Sequence, residues 1–237
     1  LAFYELYPDT DEVMRTIASD HVLDRWVMAR LLEVTHQVTM AMDAYEIDSA
    51  LRALELAIDD LSVWYVRRSR ERMREEHTTA DAARTLRYVL RELAKLLAPF
   101  APFLAERVFQ VVKDTTDPES VHLADWPVEK QLGDDQQKLL TEMATIRKLV
   151  ELGHAARSSA GIKVRQPLAK ATATGLEIFN PELTKILLEE LNVREFNWQA
   201  KGELGVELET TITEELKQEG IERELLRTVQ ALRKKHG

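Results

Sequence analysis

The sequence predicts a mainly α-helical protein, in which a helical bundle is followed by a small α+β subdomain and a C-terminal helix. Three observations predict it. Apolar residues recur at helical spacing up to about residue 160, only 8 glycines and 7 prolines interrupt the 237 residues, and the pattern becomes alternating beyond residue 168. The change of period divides the chain into a predicted bundle, residues 1–160, and a predicted subdomain, residues 161–237.

The first two long helices follow from caps and periodicity. Asp24 is a suitable N-cap for a helix that extends to about Met42. The next helix is expected to begin near Asp48 and to continue, without glycine or proline, to about Glu76. The residues of this second helix predicted to face inward are Leu51, Leu54, Ile58, Leu61 and Tyr65.

The rest of the bundle is divided by prolines and polar stretches. A third helix is predicted over residues 81–97. Pro99 and Pro102 end this helix and begin another, because proline is tolerated in the first turn of a helix but not in its interior. Residues 114–127 are predicted to form a loop, and residues 134–158 a further long helix.

Beyond residue 168 the pattern indicates strands as well as helices. Alternating residues predict strands over 168–175, 192–198 and 205–212, with a helix over 181–191. A final helix is predicted over 213–236. The order of the strands in the sheet does not follow from the sequence.

Charge is segregated along a chain whose formal net charge is −9. Residues 63–91 hold eight arginines against four acidic residues, and residues 152–176 hold no acidic residue at all. Thirteen glutamates lie between residues 177 and 224. The two basic patches therefore suit contact with a polyanion in spite of the net negative charge.

The first basic patch contains five arginines in the eight positions 67–74. On a helical wheel Arg67, Arg70 and Arg74 share one stripe, which makes them the candidate phosphate contacts. RNA is the leading partner, because guanidinium groups pair with phosphate oxygens and neighbouring aromatic rings can stack on bases. The alternative is a solvated, dipole-compensating helix end.

A second set of residues near the same patch is predicted to be structural. Arg68 and Arg72 continue the apolar face, so their stems should lie on the bundle and their charges should pair with carboxylates. Three aromatic side chains are expected to be anchors of the core: Trp26, Trp64 and Tyr65.

The second basic patch is centred on a turn after Gly161. Lys163, Arg165 and Gln166 lie in this turn, and Arg157 belongs to the helix before it. We expect these four residues to contact the RNA backbone. The alternative, equally compatible with the residues, is a basic loop that only links the bundle to the sheet.

Several classes of site find no support in the sequence. The absence of cysteine removes disulfides, thiolate zinc sites and cysteine nucleophiles, and it fits a reducing compartment. The six histidines lack ligand-like spacing, so no metal is expected. No Ser-His-Asp arrangement, glycine-rich phosphate loop or membrane span is expected. The first residues, from Leu1, look like the end of a helix, which predicts an excised piece of a longer protein.

Several segments carry a resemblance to a known family. They are Leu23–Leu31, Asp59–Arg70, the proline corner Ala98–Phe103, Glu119–Pro127, Gly161–Leu168, Glu190–Glu195 and Glu219–Arg227. In this order they resemble the anticodon-binding region of the class I aminoacyl-tRNA synthetases, and most closely its isoleucyl branch. Val63 and Glu222 depart from the usual residues of that branch, and the connection between residues 198 and 205 is shorter than in many relatives.

The resemblance implies a function for the chain. It implies an anticodon-binding helical bundle that holds the anticodon stem and loop of a tRNA, with isoleucine tRNA as the expected partner, and no binding of DNA. The family's catalytic signatures, His-Ile-Gly-His and Lys-Met-Ser-Lys-Ser, do not occur here. ATP and magnesium would therefore act in the catalytic core of the parent ligase, and this piece would be inactive alone. A monomer in the cytoplasm is expected.

Two alternatives to this function remain. The chain could be the equivalent region of a valyl- or leucyl-tRNA synthetase. It could also be a structural or protein-interaction bundle, in which the arginines pair with acidic partners.

Overall fold

A computed structural model describes residues 1–6, 19–73, 79–176 and 180–236. The chain forms two compact units, unit 1 from Leu1 to Leu140 and unit 2 from Thr141 to Gly237. The prediction of a mainly α protein with a small α+β part is confirmed. The predicted domain boundary after residue 160, which depends on the change of hydrophobic period, stays a prediction.

Unit 1 is built from helices. They are α1 (Ala2–Leu6), α2 (Val22–Asp43), α3 (Ile47–Asp59), a π-helical segment (Asp60–Val66), α4 (Arg67–Ser69), α5 (Thr79–Leu97), α6 (Pro102–Val112), a 3-10 turn (Val121–Leu123) and the start of α7 (Asp134–Ser159). Among the described residues, no helix is both long enough and apolar enough to cross a bilayer.

The second predicted helix needs two corrections. Regular α-helix ends at Asp59, the π-helical segment follows it, and the last helical residue is Ser69. The predicted end at Glu76 lies outside the described residues. Leu51 and Ile58 are 38% and 40% exposed, whereas the small residues Ala50 and Ala57 are buried. Small side chains on the inner face let α3 approach α2 closely, so the larger ones remain at the edge.

The proline corner between α5 and α6 has the predicted form. Pro102 occupies the first turn of α6, where its missing N–H group costs no hydrogen bond. A small apolar cluster closes the corner, with Phe109 and Val121 buried at its centre. Arg87 is buried and donates to the carbonyl of Val112 at 2.8 Å, which caps the C-terminal end of α6.

Unit 2 combines the rest of α7 with a three-stranded sheet and two helices. The elements are β1 (Leu168–Thr174), α8 (Pro181–Leu191), β2 (Val193–Gln199), β3 (Gly205–Leu208) and α9 (Glu214–His236). The strand order is β2-β1-β3, with β1 parallel to β2 and antiparallel to β3. The third strand ends at Leu208, four residues before its predicted end at residue 212.

The start of α9 is fixed to the turn before β1. Gln166 donates from Nε2 to the carbonyl of Leu216 at 2.7 Å. Gly220 lies against the Gln166 side chain so closely that a Cβ atom there would overlap it. These contacts explain why Leu216 is buried.

The entry to α2 differs from the prediction in its cap. The N-cap is His21, whose Nδ1 accepts from the Leu23 amide at 3.2 Å, and not Asp24. Asp24 lies about one turn further on and is only 1% exposed. Its two carboxylate oxygens accept hydrogen bonds from the two terminal nitrogens of Arg72, at 2.7 and 3.0 Å, and the two residues form an ion pair. Tyr65 donates to the same carboxylate at 2.8 Å. One buried carboxylate thus connects α2 to the π-helical segment and to the turn after α4.

The protonation of this network favours the ion pair. Burial by itself would raise the pKa of Asp24, but the hydrogen bonds and charge of Arg72, with hydrogen bonds from Ser19 and Tyr65, lower that pKa below 3.8. Burial raises the pKa of Tyr65 well above 10.0, and the charge of Asp24 raises it further. At neutral pH the carboxylate is therefore charged and the phenol keeps its proton.

Arg157 has the corresponding role in unit 2. It is 1% exposed, and all its donors reach backbone carbonyls. Its guanidinium group donates to Leu191 at 2.6 and 3.0 Å and to Asn192 at 3.0 Å. It also donates to Lys163 at 3.1 Å and to Gln166 at 2.9 Å. Burial lowers the pKa of Arg157. One side chain thus joins α7, the end of α8 and the turn before β1.

Replacing Arg72 by Met should lower the free energy of unfolding by about 3–5 kcal/mol, because the Asp24 carboxylate would stay buried without its cation. Urea unfolding followed by tryptophan fluorescence measures this loss. The matched control is Arg52→Met, since Arg52 and its partner Asp48 are 70% and 80% exposed. That control should change stability by no more than about 0.5 kcal/mol. Equal effects of the two variants would contradict the structural role of the buried pair.

The lowered pKa of Asp24 predicts a loss of stability in acid. A carboxyl group with a lowered pKa in the folded state stabilises it above its ordinary value of 3.8, and this contribution is lost as the pH falls through the folded value. In Asp24→Asn the contribution is absent. We therefore expect the free energy of unfolding of this variant, measured by urea unfolding between about pH 5 and pH 2, to depend less on pH than that of the wild type. The difference in slope should be up to about 1.4 kcal/mol per pH unit. Identical slopes would exclude Asp24 as the titrating group.

Replacing Arg157 by Lys should destabilise unit 2 by at least about 2 kcal/mol, because an ammonium group cannot reach the four carbonyls that the guanidinium fork satisfies. Thermal unfolding of the Arg157→Lys variant tests this, with Arg165→Lys as the control. Arg165 is 51% exposed, so its replacement should change stability by about 0.5 kcal/mol or less. An Arg157→Lys variant as stable as wild type would refute this structural role of Arg157.

Candidate nucleic-acid interface

The first candidate surface lies at the end of the helical segment that contains the arginine run. We call it the arginine surface, and it consists of Arg67 and Arg70 with the rings of Trp64 and Phe3. Both arginines are exposed, as the helical wheel predicts. The surface belongs to unit 1 and contains no residue of unit 2.

The π-helical segment sets the direction of the Arg67 side chain. The Arg67 amide bonds to the carbonyl of Ser62, five residues back, where an α-helix would use Val63. The Val63 carbonyl instead accepts from Arg67 Nε at 2.8 Å. The guanidinium carbon then lies 5.8 Å from the centre of the Trp64 ring. A backbone contact and a cation–π contact therefore both hold this charge at the surface.

Arg70 is held by an aromatic ring from another helix. Its guanidinium carbon lies 5.7 Å from the centre of the Phe3 ring, which belongs to α1 and is half-buried. Sequence analysis did not identify Phe3, because residues 67 positions apart in the chain give no pattern that would link them. The structure shows that α1 supplies part of the arginine surface.

The other arginines of the run are placed differently. Arg72 turns inward to Asp24, and Arg68, four residues before it, is half-buried. Trp26, Trp64 and Tyr65 are 2%, 8% and 0% exposed. Arg74 lies outside the described residues, so its predicted phosphate contact stays a prediction.

The second candidate surface is the basic turn, residues 161–167, in unit 2. Lys163 and Arg165 are exposed in this turn. Arg165 forms an ion pair with Glu224 at 3.5 Å, in which the two side chains are 51% and 34% exposed. Such a pair contributes little to stability, so Arg165 can exchange the carboxylate for a phosphate.

Charges from the basic turn act on Glu224. A hydrogen bond from Arg227 has the largest effect in lowering the pKa of Glu224, and the charges of Arg165 and Lys163 lower it further. The basic turn is therefore partly neutralised by α9. A polyanion would have to compete with this glutamate.

Gln166 and Arg157, the other two candidates of this patch, have intramolecular contacts. Gln166 bonds to Leu216 and Arg157 is enclosed by carbonyl groups. The sequence analysis assigned both residues to RNA contact because it considered their polarity and charge but not their burial. One signal was available, since Arg157 lies at helical spacing from Ile146, Val150 and Gly153 and thus on the buried face of α7.

Within the ranges that the structure describes, no group of three or more His, Cys, Asp or Glu side chains could hold a metal ion. The chemistry that the two surfaces offer is contact with anions by guanidinium and ammonium groups, next to aromatic rings.

Comparison with protein families gives a match over more than half of the chain. Residues 24–173 match the family described as the anticodon-binding domain of tRNA ligase. The match begins at Asp24, contains Arg67 and Arg70, and ends inside β1. It therefore covers both candidate surfaces except Phe3.

Comparison with curated proteins gives isoleucine–tRNA ligases. The chain is 44% identical to that of Streptomyces coelicolor over 203 residues, which cover 81% of this chain and 19% of the relative. It is 40% identical to that of Deinococcus radiodurans over 204 residues, with 81% and 19% coverage. For Dehalococcoides mccartyi the values are 37% over 239 residues, with 91% and 24% coverage.

The chain spans about a fifth of the length of the first two of these relatives. Their names favour the isoleucyl branch over the valyl and leucyl branches, and the resemblance found in the sequence is confirmed. On the match over residues 24–173, the chain belongs to the anticodon-binding domain family of tRNA ligases.

Proposed function

We propose that this chain binds the anticodon stem and loop of isoleucine tRNA and so positions the tRNA for a ligase whose catalytic core lies outside these 237 residues. The observation that carries the proposal is the division of the arginine run. Arg67 and Arg70 are exposed over aromatic rings, whereas Arg72 is used inside the protein. A helix end that only needed solvation would not require two cations in contact with aromatic rings.

Contacts with the RNA backbone explain this arrangement. A guanidinium group that lies over a ring can also donate to phosphate oxygens in its own plane. Binding should then depend steeply on salt, because each neutralised phosphate releases counterions. Lys163 and Arg165 in the basic turn are proposed as further backbone contacts.

We propose further that selection of isoleucine tRNA follows from the parent enzyme and only partly from this chain. The relatives are isoleucine–tRNA ligases, and the exposed cations of this chain are suited to reading backbone shape more than base edges. ATP and magnesium would act in the catalytic core of the parent. The parent would be a monomer in the cytoplasm.

Loss of the two exposed arginines should weaken tRNA binding. In Arg67→Ala/Arg70→Ala, affinity for an isoleucine tRNA transcript should fall, and the slope of log affinity against log salt should become shallower by about two, since two phosphate contacts are lost. Fluorescence anisotropy at salt concentrations from about 50 to 200 mM measures both quantities.

The control for this experiment is Arg52→Ala, an exposed arginine of the same unit outside the arginine surface. It should leave affinity and salt slope close to wild type. An unrelated tRNA, measured in parallel, reports how much identity this chain reads. Binding that does not respond to salt, or an equal loss in the control, would contradict the proposal. A large loss of stability in the double variant would favour a structural bundle.

A further inference from the structure

The candidate RNA surface of unit 1 continues beyond Arg67 and Arg70. Phe3, which lies under Arg70, is followed two residues later by Glu5, and Glu5 forms an ion pair with Arg107 of α6 at 3.6 Å. Arg107 is 70% exposed. A chain of contacts therefore leads from Arg70 across α1 to a third exposed guanidinium group.

One turn before Arg107 lies the most exposed aromatic ring among the residues that the structure describes. Phe103 is 92% exposed, and a residue four positions away on a helix lies on the same face at a distance of about 6 Å along the axis. The ring takes no part in the apolar cluster around Phe109. The Phe103 ring therefore gains nothing from burial in the core, and its helical spacing places it on the face of α6 that carries Arg107.

We propose that Phe103 and Arg107 extend the arginine surface, with the Phe103 ring stacking on an unpaired base of the bound RNA and Arg107 contacting the adjoining phosphate. The exposed cations Arg67, Arg70 and Arg107, together with the exposed Phe103 ring, combine the positive charge and the stacking platform with which proteins bind unpaired nucleotides. The inference rests on the proposed binding of tRNA. It adds a subsite for an unpaired base to that function.

A second exposed aromatic ring in unit 1 shows what an unsuitable site looks like. Tyr45, in the turn between α2 and α3, is 89% exposed, but Asp43, Glu46 and Asp48 surround it in sequence. No lysine or arginine occurs between residues 37 and 51. Negative charge on this scale repels phosphate, so Tyr45 serves as the matched control for Phe103.

Tyr45 can be replaced without harm to the fold. Its φ is +61°, and the hydrogen bonds from Tyr45 N to Met42 O at 3.1 Å and from Glu46 N to Ala41 O at 2.8 Å form the helix cap that usually contains glycine. Glycine adopts this backbone conformation without strain. The variant Tyr45→Gly therefore removes an exposed ring and keeps the turn.

The test measures binding of two RNA probes by anisotropy, an isoleucine tRNA anticodon stem-loop and a duplex of the same length without unpaired bases. Phe103→Ala should weaken binding of the stem-loop by about 5- to 150-fold, with an unchanged salt slope, and should leave binding of the duplex unaffected. Phe103→Trp should restore the affinity. Tyr45→Gly should bind both probes as wild type does.

Glu5→Gln gives a test in the opposite direction. It frees Arg107 from its carboxylate, so affinity for both probes should rise by about 2- to 5-fold. The rise should be absent in Glu5→Gln/Arg107→Ala. The Glu5→Gln experiment does not disturb the packing of the core.

The possible failures are distinguishable. If the stem-loop binds and Arg67→Ala/Arg70→Ala weakens it, but Phe103→Ala binds like wild type, the base subsite is refuted while the proposed function stands, and Phe103 would belong to a protein contact. Equal losses in Phe103→Ala and Tyr45→Gly would also refute it. If the wild-type chain binds neither probe at low salt, the proposed function and the subsite both fail.

Discussion

The arrangement of unit 1 depends on one buried carboxylate. Asp24 is the only charged group among the described residues that accepts from both Tyr65 and Arg72, and it sits at the start of α2. Its contacts determine where the chain after the π-helical segment lies. Arg72, in the turn after α4, is held inward by this carboxylate, whereas Arg67 and Arg70 before it are exposed. The buried pair therefore removes one cation of the arginine run from the surface and leaves the other two there.

The π-helical segment adds a second constraint. Asp60, at its start, is 4% exposed and accepts from Arg30 of α2 at 2.9 Å. The segment is thus anchored to α2 at both ends, by Asp60 and by Tyr65. The wider turn shifts the backbone hydrogen bond of Arg67 by one residue and leaves its side chain to bond with Val63. A local irregularity, fixed by two polar contacts, therefore orients a surface cation.

The division of the arginine run was predictable because it depends on helical phase, which the sequence contains directly. The inward direction of Arg72 and the exposure of Arg70 agree with the stripes of the predicted helix, although both residues lie in the turn after α4. The partner of Arg72 was not predictable, since Asp24 lies 48 residues away in the sequence and was predicted to be a helix N-cap. The same holds for Arg157, whose partners are backbone carbonyls and leave no mark in the sequence. Periodicity predicts which face of a helix a side chain lies on, but only the tertiary structure identifies its contact partners.

Holding a cation over a ring has a consequence for binding. A free arginine side chain loses about 2 kcal/mol of rotamer entropy when a phosphate fixes it. In Arg67 and Arg70 part of this ordering accompanies folding, because each guanidinium group lies over a ring, at 5.8 Å from the centre of Trp64 and 5.7 Å from that of Phe3. The entropic cost at the moment of binding is then smaller. Since an anticodon stem and loop presents its phosphates in a defined shape, cations held in advance over aromatic rings would match that shape at a smaller entropic cost than mobile ones.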